Sequence, residues 1–200
     1  MSKKMPAAVV ALRPRAKEDF SNYLGMVMML GSWSILFGGI FFAYAGVRMS
    51  APTWPPPGLP KLPLALPAAN TVILGLSSWT AQRALGAIRK GRRDEMQALL
   101  GATVVLGALF LGLQYVLWTN VRASGLSIDS AGTYGSVFYA LTIFHALHVA
   151  AGVCGVSYLV VGARFGKWNA AAHAPVRMWT MFWHFVDAVW LVTFVSVFVL

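Results

Sequence analysis

The sequence predicts an all-α integral membrane protein, with five transmembrane helices in one bundle, the N-terminus in the cytoplasm and the C-terminus outside. Three observations lead there. Of 200 residues, 58% are hydrophobic and only 11% are charged, where a soluble domain carries about a quarter charged residues. The apolar residues fall in runs of the length that a helix needs to cross the hydrocarbon core, about 20 residues. The cations, finally, gather on one side of those runs.

The spans are expected at about 22–47, 64–88, 96–119, 134–161 and 176–200, forming a single domain over 21–200 behind a polar cytoplasmic tail, 1–20. The early apolar run AAVVAL is too short for a signal-peptide core, and RPRAKED follows it in place of a cleavage site. Asp94 and Glu95 open the third span, where the helix dipole favours anions. Pro175 opens the fifth, at a first-turn position that tolerates proline. Between the spans lie a proline-rich loop (50–63), a tight basic turn (89–95), a glycine- and serine-bearing loop (123–135) and a fourth connection (162–175).

Lys3, Lys4, Arg13, Arg15 and Lys17 precede the first span. Arg83, Arg89, Lys90, Arg92 and Arg93 surround the second connection, and Arg164, Lys167 and Arg177 the fourth. Only Arg48, Lys61 and Arg122 fall on the other side. The positive-inside rule makes the crowded side cytoplasmic. It also accounts for the net charge of +10 without any nucleic acid.

Small residues at helix-packing spacing, namely Gly31, Gly38 and Gly39, Ala108 and Gly112, and Ala151 and Gly155, predict close helix contacts. Trp118, Trp179 and Trp183 fall near the expected interfaces, as in an aromatic belt, whereas Trp33 does not. The single cysteine, Cys154, has no disulfide partner and reads as a packing residue.

Two spans carry ionisable groups. FHALHV holds His145 and His148, and WHFVDAVW holds His184 and Asp187. Each pair is three residues apart, so each occupies one helical side. At the helical rise, Asp187 lies roughly 15 Å from the start of its span, close to the midplane. A carboxylate is costly there and needs an interior partner. The adjacent antiparallel span offers His148 as the first candidate, with His184 of Asp187's own span second, so the expectation is a clamp between the last two helices. A short proton relay and a metal site use the same four residues, but the single intramembrane carboxylate is few for a bundle metal site. His173, in a loop, reads as solvated. No nucleophile triad, glycine-rich phosphate loop or CxxC is present.

GTYGSVFYALTIFHALHV (132–149), with Tyr134, Gly135, Ser136 and Phe144, and WHFVDAVW (183–190), with Trp183, Phe185 and Trp190, resemble subunit III of the haem–copper respiratory oxidases. That family's pattern runs G-x-YGS-x-FF into FHGLHV, then WHFVDVVW. WPPPGLPKLPLALPAANTVILGLSS (54–78), which contains Asn70, is similar to its proline-rich loop and the helix after it. The resemblance covers nearly the whole chain after residue 20. It implies a short, five-helix bacterial form in the inner membrane, with its C-terminus periplasmic. Such a chain is an accessory subunit without a catalytic centre, metal or cofactor of its own. It packs directly on subunit I, beside subunit II and other subunits, and holds phospholipids. Haem and copper sit in the partner subunits, and the complex reduces O2 to water while pumping protons. Two positions depart from the family pattern. Trp33 stands where a glutamate follows serine in the first helix, and Leu117 stands where a glutamate follows Gln114. Their absence puts a proton-delivering role in doubt. The alternatives are an accessory subunit of a nitric oxide reductase, a metal-dependent membrane enzyme, and a stand-alone proton or small-ion transporter built on His145, His148, His184 and Asp187.

Overall fold

The computed structural model describes residues 7–60, 62–127 and 132–200, with side-chain surroundings from Phe20 onward. Its helices are α1 (Ala7–Ser50), α2 (Ala65–Arg89), α3 (Arg93–Ala123), α4 (Gly132–Arg164) and α5 (Ala174–Phe194), and α5 ends in a π-helical turn, Val195–Val199. Four of them, taking α1 from Phe20 and α5 through Val199, are long and apolar enough to cross a membrane. Helix α2 is not among those four, although it has 25 residues. The reason lies in its composition: Asn70, Thr71, Ser77, Ser78, Thr80 and Gln82 interrupt its apolar run. Of the expected tail, residues 1–6 lie outside the described residues, and helix α1 is already formed from Ala7.

Local chemistry sets the ends. Gly91 (φ 75°) lets the chain reverse after α2, and the Arg92 N–H then caps the Ala87 carbonyl at 3.0 Å. Asp94 and Glu95 sit in the first turn of α3, where Arg92 pairs with Glu95 at 2.7 Å. Gly166 (φ 67°) performs the same reversal after α4, with Lys167 N–H reaching Gly162 O at 3.1 Å. Pro175 lies in the first turn of α5.

Helices α2 to α5 form a four-helix bundle, and α1 leans on the α4–α5 edge. The larger core joins Leu74, Leu85 and Ile88 of α2 to Met96, Leu100 and Phe110 of α3, Val156 of α4, and Phe182, Trp183 and Trp190 of α5. A second core, toward the other end of the bundle, joins Tyr44, Leu117, Tyr134, Phe138 and Val197. Leu117, at the second departure from the family pattern, is fully buried there.

The small-residue expectation needs correction. Of the residues named for it, only Gly155 is buried, and Gly31, Gly38, Gly39, Ala108, Gly112 and Ala151 face outward. The close approaches occur at the expected Gly155 and also at Gly107, Gly152 and Gly162. A Cβ at Gly107 would stand 2.7 Å from the Trp183 ring, and one at Gly152 would stand 2.8 Å from it. Gly155 receives Trp179. Trp183 therefore fills the bundle interior and is no interface residue, at 1% exposure. Cys154 lies on the exposed face of α4.

Candidate functional site

Helix α5 presents three different faces to three neighbours. Phe182 and Phe185 meet α1 through Trp33 and Phe37, at ring separations of 5.4 and 6.4 Å. Trp183 and Trp190 enter the core. His184 and Asp187 turn toward α2.

The α2–α5 seam is a ladder of side-chain hydrogen bonds. The Trp183 indole N–H donates to Ser77 Oγ at 2.9 Å, and Trp190 donates to Thr71 Oγ1 at 3.0 Å. His184 lies between them. Its Nε2 is 3.1 Å from Gln82 Oε1, and its Nδ1 is 2.5 Å from Ser78 Oγ. A carbonyl oxygen only accepts, so Nε2 carries the ring proton and Nδ1 takes the Ser78 proton. Ser78 is also a polar neighbour of Asp187, but its one proton goes to His184. Asp187 Oδ1 is buried without a partner. It borders a small cavity of about 40 Å³ lined by Thr71, Leu74, Gly75, Trp190 and Leu191.

This overturns the expected partner of Asp187. Neither His148 nor His184 bonds to it, and its polar neighbour is Ser78 of α2. The clamp on α5 therefore grips α2, not α4. Helix α5 packs antiparallel against both of them, and spacing along one helix does not choose between two such neighbours.

The α4 histidines also part company. His148 Nδ1–H donates to its own Phe144 carbonyl at 2.6 Å. Its ring meets the edge of Trp33 at 4.4 Å and that of Phe37 at 5.0 Å. His145 points the other way, fully buried between Phe110 at 5.6 Å and Trp190 at 5.2 Å, with neither ring nitrogen hydrogen-bonded. Near that level, Asn70 Nδ2 donates to Gln114 Oε1 at 3.4 Å, joining α2 to α3, and Trp118 donates to Thr142 at 3.0 Å, joining α3 to α4. Among the described residues, no three His, Cys, Asp or Glu side chains gather as a metal site would require. The three intramembrane histidines face α3 and α5, α1, and α2 respectively, so this donor set does not fit a metal or a haem.

The other motif residues have structural partners. Tyr134 meets Trp54 of the proline-rich loop at 4.8 Å, Gly135 is buried, and Ser136 Oγ donates to Gly132 O at 2.9 Å. Phe144 is 41% exposed, on the outside of the bundle. His173 closes its loop through Ala170 O at 2.7 Å. The residues that reasoning from the four ionisable groups missed are Thr71, Ser77, Ser78 and Gln82. Their signal was there: a run of hydroxyl and amide side chains inside an otherwise apolar helix.

The tryptophan, histidine and aspartate of WHFVDAVW thus spend their polar atoms on the helix that carries NTVILGLSS. Both segments lie within residues 19–200, which match the family model described as cytochrome c oxidase subunit III. The chain belongs to the cytochrome c oxidase subunit III family. It is 36% identical over 177 residues to a cytochrome c oxidase subunit 3 of Synechocystis sp., covering 88% of this chain and 74% of that one. It is 35% identical over 191 residues to that of Thermostichus vulcanus, covering 91% and 88%. A probable cytochrome c oxidase subunit 3 of Nocardia farcinica is 33% identical over 177 residues, covering 88% and 86%. As a subunit III chain with four strongly apolar helices, it is a multi-pass membrane protein belonging to a respiratory oxidase complex.

Proposed function

We propose that this chain is the non-catalytic subunit III of a haem–copper terminal oxidase in the bacterial cytoplasmic membrane. There it stabilises the catalytic subunit I and holds lipid. Haem and copper belong to the partner subunits, and this chain supplies a rigid bundle beside them. The observation that carries the reading is the ladder from Trp183, His184 and Trp190 to Ser77, Ser78, Gln82 and Thr71. It commits the motif's polar atoms to holding helices together, which is what a scaffold needs and a reaction site does not.

In this reading α2 is the fifth span. Ser77, Thr80 and Asn70 are buried against α3 and α5, so these polar side chains need not meet lipid. The cation distribution supports an N-terminus in the cytoplasm and a C-terminus in the periplasm. Lipid has a place to lie. An open groove of about 580 Å³ between α1 and α4, lined by Ile35, Leu36, Gly39, Ile40, Val137 and Ala140, is apolar enough for an acyl chain.

The test is purification of the tagged chain from its native membranes in mild detergent, followed by a reduced-minus-oxidised visible spectrum and mass spectrometry. Haem bands and a many-helix partner with copper are expected. A colourless chain without partners would overturn the reading, and proton flux in liposomes would then be measured.

A further inference from the structure

We infer that the α2–α5 seam binds an internal water molecule, which donates hydrogen bonds to Asp187 Oδ1 and Thr71 Oγ1 and forms the middle rung of the ladder. The inference rests on the geometry of the ladder and not on which subunits surround the chain.

The rungs follow one register. Helices α2 and α5 run antiparallel, so Thr71 meets Trp190 at one end, while Ser77 and Ser78 meet Trp183 and His184 at the other. Asp187 stands midway between those partners on α5. The same register sets it against Leu74 and Gly75, midway between them on α2. At this level α2 brings no polar group to the seam, because leucine makes no side-chain hydrogen bond and glycine has no side chain. The glycine also makes room. The cavity of about 40 Å³ lies here, and nothing stands within 4 Å of the point that a Gly75 Cβ would occupy.

Proton accounting identifies the ligand. Asp187 Oδ1 is buried, and no donor of the protein reaches it. The hydroxyl and indole protons around it are already committed. Thr71 donates to Pro67 O at 2.9 Å, Trp190 to Thr71, Ser77 to Leu74 O at 2.7 Å, and Ser78 to His184. An acyl chain has no proton to offer. Water has two, and it needs roughly 10–15 Å³ of free space and two to four polar partners. Thr71 Oγ1 is the second partner, since a hydroxyl oxygen has two acceptor lone pairs and Trp190 uses one. Gly75 and Leu191 at the rim are exposed. The hydrocarbon beyond them offers a departing water no hydrogen bond, which favours its retention.

The experiment is cryo-electron microscopy of the chain purified with its partners in mild detergent, at a resolution that shows ordered waters, together with thermal unfolding of two Gly75 variants. The expected map has one peak within hydrogen-bonding distance of both Asp187 Oδ1 and Thr71 Oγ1. Gly75→Ala puts a methyl group into the cavity, so it should remove the peak and lower the melting temperature. Gly75→Ser also displaces the water but supplies a hydroxyl in its place, so it should recover most of that loss. If Gly75 served close helix packing alone, the larger serine would be at least as harmful as alanine. A map without the peak, acyl-chain density in the cavity, a peak at cation-coordination distances, or serine no better than alanine would each overturn the inference. If neither variant accumulates, the map of the unmutated protein decides alone.

Discussion

The Trp183 indole, seated between Gly107 of α3 and Gly152 of α4, reaches through the bundle to hydrogen-bond Ser77 of α2 at 2.9 Å. One side chain thus touches the three other helices of the bundle. Ser77 is held in turn by its own O–H, which donates to Leu74 O at 2.7 Å. Ser77→Ala leaves a buried indole N–H without an acceptor, which costs about 1–3 kcal/mol. Lower thermal stability of the purified complex is the expected outcome. In a double-mutant cycle with Trp183→Phe, the coupling should be about 0.6 kcal/mol, as for hydrogen bonds between membrane helices. A coupling of zero would mean that the bond contributes nothing.

The glycine seats are tested by adding one methyl group. Gly107→Ala puts a Cβ 2.7 Å from the Trp183 ring and 2.8 Å from Val153. Overpacking of that kind costs about 1–3 kcal/mol. Gly112→Ala, whose Cβ would meet nothing within 4 Å, should be silent in the same thermal-shift measurement. Equal effects at the two sites would contradict the seating of Trp183.

Asp187 separates hydrogen bonding from shape. Asp187→Asn keeps a polar side chain beside Ser78 and the cavity, so assembly yield should stay near that of the unmutated chain. Asp187→Leu should lower it, and so should Ser78→Ala, which removes the hydroxyl bonded to His184. His148→Leu should not alter the Asp187 surroundings, because His148 faces α1. Normal assembly of all four variants would count against a clamp on α2.

Trp33 occupies the position where the family pattern has glutamate, and its ring lies 4.4 Å from His148. A carboxylate introduced there would face an imidazole across the α1–α4 contact. Trp33→Glu should lower stability through the lost aromatic packing on Phe182. In a double-mutant cycle with His148→Leu, the combined effect should differ from the sum of the two single effects by about 0.6 kcal/mol. Additive effects would show that the two positions do not communicate.

Much of the architecture was legible before the structure. The helix expected at 64–88 is α2 at Ala65–Arg89, and that at 134–161 is α4 at Gly132–Arg164. Apolar length, a glycine after the last turn and a proline in the first carry that information without reference to neighbours. Which side of each helix faces a partner was not legible. In lipid an outward face is as apolar as a buried one, so Gly112 and Gly107, or Ala151 and Gly152, look alike in sequence. The partner of Asp187 was misassigned for a related reason. Histidines draw attention as partners for a carboxylate, whereas the serine and threonine hydroxyls of α2 look like ordinary small helical residues. They matter because α5 crosses at their level, and only the fold brings it there.

The ladder between α2 and α5 has a consequence for biosynthesis. Helix α2 carries the hydroxyl groups, and α5, synthesised after α3 and α4, carries the indoles and imidazole that bond to them. Until α5 arrives, α2 has only α3 to shield its polar side, through the Thr80–Thr103 and Asn70–Gln114 bonds. A nascent chain stopped before Ala174 would therefore hold its least apolar segment half-satisfied at the translocon. Helix α5 is in this sense what completes the α2 seam, and chains truncated before it should be cleared by membrane quality control although their earlier helices are already in place.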